Sequence, residues 1–190
     1  MTETQPIPTE TADVKIGQRN FSETVNQISH ALNTYLGAGE VASLRRLSPD
    51  DPTNPAFFKF AAQFLEPQAH LPDEGPLRDL LERRWACIIG GLALLGKLHH
   101  PGKPLGEALA EAGFSELRFV RLLKAQDAGL WDAARGAARF LMSKGQNADW
   151  ADLAALVLSD GAEWSESVRR RIARRYYSML TKTQEGEHKK

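Results

Sequence analysis

Apolar residues recur at three- and four-residue spacing along most of this chain, and they do not alternate with polar ones over a strand's length. That period belongs to the amphipathic α-helix. It predicts a first helix from Ser22 to Leu36, with Val25, Ile28, Leu32 and Leu36 on one stripe, ended by Gly37 and Gly39. A short helix follows through Val41, Leu44 and Leu47. Pro49, Pro52 and Asn54 form a loop, and Asn54-Pro55 reads as an N-cap with a first-turn proline for an aromatic helix, Phe57 to Leu65. A proline-rich link, Pro67 to Pro76, leads to a long helix over about residues 77–98. Its segment Trp85 to Gly96 is apolar all round but only twelve residues long. That is too short to span a bilayer and predicts a buried helix, with Gly90, Gly91 and Gly96 admitting close neighbours.

His99-His100-Pro101-Gly102 breaks the pattern. Beyond it the spacing predicts a short helix from Pro104 to Ala112 closed by Gly113, and one from an N-cap at Ser115 to about Ala125. Asp127 to Lys144 is the next helix, closed by Gly145. Asn147 or Asp149 caps a helix through Leu158, and Ser165 caps the last, to about Thr181. The fold class expected is all-α: two packed helical bundles of about eight or nine helices. The expected organisation is a disordered tail over residues 1–19, helical halves over 20–100 and 101–182, and a disordered tail over 183–190, with the boundary in the His99–Lys103 loop.

Composition narrows the classes. A chain of 190 residues with 42% hydrophobic and 25% charged residues is ordinary for a globular protein. The lone cysteine, Cys87, excludes a disulfide framework and a cysteine-based zinc site, and is compatible with a reducing cytoplasm. It lies inside the apolar run, with no basic partner in view to activate it, and is expected to be a buried structural thiol. The opening MTETQPIPTETADVKIGQ has no apolar signal core. The expectation is a cytoplasmic protein with no membrane partner.

Net charge is zero, which excludes a polycation but not a basic face. Residues 115–182 hold twelve basic against eight acidic side chains, and nine of the twelve are arginine. On the last helix Val168, Ile172, Tyr176, Met179 and Leu180 form an apolar stripe. Arg170, Arg171, Arg174 and Arg175 fall opposite it within an arc of about 140°, and Arg169 lies apart, towards the stripe's edge. Both a solvated face and a face for an anionic partner fit that pattern. Arg118 and Arg121 share a face with Lys124 beside them, Arg135 and Arg139 are one turn apart, and Arg45-Arg46 sits on a short helix. Together these sets point to phosphate, whose oxygens the arginine fork matches. Phe57, Phe58, Phe60, Phe64, Trp131, Phe140, Trp150 and Trp164 sit at core spacings, with base stacking as the lesser alternative. The five histidines are scattered, and no nucleophile elbow or phosphate-binding glycine loop is present. The acidic pairs Asp50-Asp51 and Asp73-Glu74 read as turn chemistry. No enzyme activity, metal or cofactor is expected.

Three segments in order carry a family resemblance. ASLRRLSPDDPTNPAFFKF (42–60), PLGEALAEAGFSELRFVRLLKA (104–125), and DWADLAALVL (149–158) with the Trp164–Tyr177 helix that ends in a tyrosine pair are similar to the signatures of the CasB family. That family is the small subunit of the type I-E CRISPR effector complex, Cascade. The resemblance implies a non-enzymatic all-α subunit, present in two copies, which stabilises the R-loop and the displaced strand through basic surface residues. The implied partners are other Cascade subunits, a second copy of the chain, and the backbones of guide RNA and target DNA. Onto this sequence it carries Arg45, Arg46, Arg118 and Arg121, with Lys124 and Arg139 following by proximity. A helix-turn-helix regulator and a pure protein–protein adaptor are the alternatives from other classes.

Overall fold

The computed structural model describes residues 21–48 and 54–187, with side chains to Thr183. The tail expected over 1–19, the Pro49–Pro52 loop with Asp50-Asp51, and residues 188–190 lie outside it. Among the described residues there are nine α-helices and no strand, and His99 and Ala148 form an isolated parallel bridge. The helices are α1 (Phe21–Thr34), α2 (Ala38–Arg45), α3 (Pro55–Phe60), α4 (Pro76–Leu95), α5 (Leu105–Glu111), α6 (Glu116–Lys124), α7 (Asp127–Lys144), α8 (Trp150–Leu158) and α9 (Ser165–Glu187). A π turn, Ala61–Leu65, continues α3, and a 3-10 turn, Gly96–Leu98, continues α4.

The capping chemistry acts locally and then across the fold. Asn54 Oδ1 accepts the Ala56 N–H at 2.9 Å, while its amide donates to the Ser43 hydroxyl at 2.9 Å, tying α3 to α2. Of the two residues expected to cap α8, Asp149 does so, accepting the Ala151 N–H at 2.9 Å. Its other oxygen accepts from Gly102 N–H at 2.8 Å and pins the His99–Lys103 loop. Gly145 ends α7 in the left-handed conformation (φ 63°). Three expectations change. The aromatic helix is a short α-helix and then a π turn, so Phe57 and Phe60 are buried while Phe58 is 45% exposed. Ser115 is extended but its side chain caps nothing in α6. The last helix passes Thr181 and runs to Glu187, through most of the segment expected as a tail.

The core centres on α4. Every residue from Trp85 to Ala93 is buried, because α4 packs on α1 and α2 and, across the His99–Lys103 loop, on α7 and α8. One buried apolar cluster therefore extends from Val25 to Tyr176. Two glycines set the closest approaches. A Cβ on Gly91 would lie 2.2 Å from the indole of Trp150, which is fully buried and donates its N–H to the Ile88 carbonyl at 3.1 Å. A Cβ on Gly106 would lie 2.2 Å from the Ile172 carbonyl, so α5 and α9 touch backbone to backbone.

His99 joins three elements at the seam. Its Nε2 bonds to Asn26 Oδ1 on α1 at 2.8 Å, and its Nδ1 accepts the Trp150 N–H at 3.1 Å. This network needs the neutral ring with its proton on Nε2. Burial pushes the His99 pKa below its ordinary value, against an opposing pull from Asp149.

These contacts predict two outcomes. Gly91→Ala is expected to cost about 1–3 kcal/mol by overpacking against Trp150, and urea unfolding followed by far-UV circular dichroism should show one shifted transition rather than loss of half the signal. For His99, the unfolded ring titrates near 6.5 and the folded ring below that. The unfolded chain therefore binds the proton first, so the stability that neutral His99 confers is present above about pH 6.5 and lost as pH falls towards the folded value. The drop in melting temperature from pH 7.5 to 5.5 should be smaller in His99→Gln than in the native chain.

Candidate nucleic-acid interface

α6 and α7 form a corner on the surface. On α6, Phe119 and Leu122 are buried, and Phe119 stacks on the ring of Tyr176 at 3.7 Å, so Arg118, Arg121 and Lys124 are left exposed. On α7, Leu130, Ala134, Ala137, Ala138 and Leu141 face the core, which turns Arg139 outward. Two grooves flank the exposed crest of α7. The first, of about 290 Å³, is lined by Arg118 and Arg121 of α6 with Phe114, Ala133, Gly136 and Phe140. The second, of about 260 Å³, runs past Arg46 and Leu47 and along Trp131, Asp132 and Arg135. At 100° per residue the α7 residues of the two grooves fall on opposite flanks, and Arg139 lies on the flank of the second.

The structure thus brings Arg46, Arg118, Arg121 and Arg139 around one helix, from three elements. All four are exposed, and none has a hydrogen-bonded or ion-paired partner among the described residues. Arg45 differs: its Nε donates to the Ala93 carbonyl of α4 at 2.9 Å, and its own carbonyl accepts from Arg135 at 3.1 Å. Lys124 is exposed at the end of α6 but outside the first groove. Arg135, which the spacing grouped with Arg139, is a structural clamp, since its guanidinium also donates to the Leu47 carbonyl.

The arginines of α9 are differently placed. Arg170 pairs with Glu166 at 2.8 Å and Arg171 with Asp152 at 3.2 Å, while Arg174 and Arg175 are exposed. Arg169, off the arginine arc, turns inward. It pairs with Asp160 at 3.0 Å and donates to the carbonyls of Leu123 and Ala125. Asp160 also accepts the Asp127 N–H at 2.7 Å, so one buried carboxylate fixes the corner between α6 and α7. The only sequence signal for this role was the offset of Arg169 towards the apolar stripe. The structure also supplies Cys87 with a cation, since Arg135 pulls its pKa down. Burial outweighs that pull and pushes the thiol up to about 12, which leaves it inert as a nucleophile. Among the described residues no three His, Cys, Asp or Glu side chains are grouped to hold a metal ion, and no helix is long and apolar enough to cross a membrane.

The family model for CRISPR-associated protein Cse2 matches residues 40–177, more than two thirds of the chain. Two solved structures share the fold. CasB from Thermus thermophilus is 22% identical, with a TM-score of 0.64 over 85% of this chain and 99% of that one. A chain of E. coli Cascade bound to a PAM-containing double-stranded DNA target is 22% identical, with a TM-score of 0.59 over 83% of this chain and 96% of that one. No curated protein matches the sequence.

The two kinds of arginine should separate in a denaturation experiment. Asp160→Ala strands Arg169, which is 15% exposed, and removes the anchor of Asp127. It is expected to cost about 3 kcal/mol or more. Arg118→Ala and Arg121→Ala should each move stability by less than about 0.5 kcal/mol. Urea unfolding of the three variants checks both.

Proposed function

The chain belongs to the CRISPR-associated Cse2 family, and from that premise we propose that it is a non-catalytic subunit of a Cascade-type surveillance complex that grips nucleic-acid backbone along α7. In this reading it stabilises the guide–target R-loop and the displaced strand, works in the cytoplasm, and sits in the complex as two copies beside the other subunits. The E. coli structure that shares its fold is a Cascade bound to double-stranded DNA, which supports DNA as the partner here.

The observation that carries the reading is the convergence of Arg46, Arg118, Arg121 and Arg139 on the flanks of one helix, none of them ion-paired to a carboxylate among the described residues. Like charges gathered this way repel, and a phosphate backbone relieves the repulsion with paired hydrogen bonds. Three of the five α9 arginines already have that relief from Asp160, Glu166 and Asp152. Arg45 contributes the guanidinium edge not used by Ala93, and Lys124 extends the surface at the end of α6.

Backbone recognition predicts binding that is steep in salt and indifferent to sequence. Replacing Arg46, Arg118, Arg121 and Arg139 together by Ala should make the log–log salt slope shallower by about 3 on a single strand. Helicity and melting temperature should stay near the native values. The measurement is a salt titration of target DNA with native and variant complexes, with a melt of each free subunit. An unchanged slope in a folded variant moves the contact to the α9 arginines.

A further inference from the structure

Backbone contact uses only the rim of the first groove. Its walls are apolar: Phe114 and Phe140 meet edge to face at 5.0 Å, and Ala133 and Gly136 complete the lining. At about 290 Å³ the groove is at the small end of ligand sites. No acidic or amide side chain lines it, and its only polar lining side chains are Arg118 and Arg121. A flat apolar body with anions on either side is complementary to that lining.

We propose that this groove takes the base of one unpaired nucleotide of single-stranded DNA, with Arg118 and Arg121 on the flanking phosphates; the proposal rests on the backbone-binding reading above. Every base has a π-face, so stacking against Phe140 is tolerant of sequence. A base inside a duplex is paired and stacked, so the groove discriminates single strand from double. The lining has no side-chain acceptor for a ribose 2′-hydroxyl, so it offers no paired readout that would select ribose over deoxyribose. A partner protein's apolar side chain would fill the walls but leave both arginines without an anion.

Gly136 provides the test. A Cβ there meets nothing within 4 Å, and leucine is a better helix former than glycine, so Gly136→Leu fills the groove without straining α7. Phe140→Ala removes the stacking wall, with a melt to establish that it folds. The full chain is titrated at low salt with a fluorescent DNA oligothymidylate, an RNA oligouridylate of the same length, and a DNA hairpin duplex. Arg118→Ala/Arg121→Ala is run in parallel. The expected result is a loss of roughly fivefold or more on oligothymidylate for Gly136→Leu and Phe140→Ala, at unchanged salt slope and with duplex affinity unchanged. Unchanged oligothymidylate affinity in Gly136→Leu, with the arginine variant weakened, overturns the base pocket and leaves backbone binding standing. An equal loss on the duplex shows that the leucine obstructs the arginines, and overturns the pocket. Tighter, leucine-sensitive binding of the RNA overturns the assignment to DNA. No binding by the native chain overturns both readings.

Discussion

Trp150 lies between two helices with no room to spare. Its indole covers the bare backbone of α4 at Gly91 and donates into that helix at Ile88, and its own N–H is held by His99. That contact places α8, and α8 in turn positions the starts of α5 and α7. Asp149, just before it, holds Gly102; Asp152, one turn in, accepts the Leu105 N–H at 3.0 Å and starts α5. Asp160, just after it, receives Arg169 and the first amide of α7. Arg84 of α4 donates to the Leu158 and Asp160 carbonyls, closing the circuit. The corner carrying Arg118, Arg121 and Arg139 is thus anchored through α8 to the centre of the core.

The same contacts explain how a chain of zero net charge presents a basic surface. Its acidic residues are not spread evenly over the outside. Asp149, Asp152 and Asp160 are committed to backbone amides, and Glu116 accepts the Tyr177 hydroxyl at 2.9 Å. Lys103 draws in Glu107 and Glu111 at 2.8 Å each. A carboxylate fixed to the chain's own donors can neutralise only the cation it faces. Among the described residues Arg46, Arg118, Arg121 and Arg139 are ion-paired with none, although Asp132 lines the second groove beside Arg46, so the local field there is set by position and not by the total.

Helices were legible in the sequence because a 3.6-residue period and a few caps are local properties: Asn54, Asp149 and Gly145 act where the pattern put them. The misreadings arise where a contact from elsewhere decides. The π turn after Phe60 and the exposure of Phe58 depend on what α3 packs against, and α9 outruns its apolar stripe. Arg45 and Arg135 have nothing in their spacing to distinguish them from Arg46 and Arg139, and Arg169 is set apart from Arg170 only by its offset towards the apolar stripe. What separates them is whether a carbonyl or carboxylate distant in sequence lies within reach of the guanidinium. For the same reason the grouping of Arg46 with Arg118, Arg121 and Arg139 could be named residue by residue from the family resemblance but not seen as one surface.

The crest of α7 has a composition that stability alone does not ask for. Gly129 and Gly136 share its exposed side, and a Cβ at either position would meet nothing within 4 Å. Gly136, in the helix interior, costs about 1 kcal/mol relative to alanine, and at neither position does close packing require the absence of a side chain. The buried side of the same helix shows the opposite logic, with Ala134, Ala137 and Ala138 fully packed towards the core. A helix built tight on one side and left bare on the other leaves backbone and groove floor accessible between two flanks of arginine. In the proposed reading, that bare side is what lets a strand lie close to the helix, and it gives a reason for glycine where alanine would be more stable.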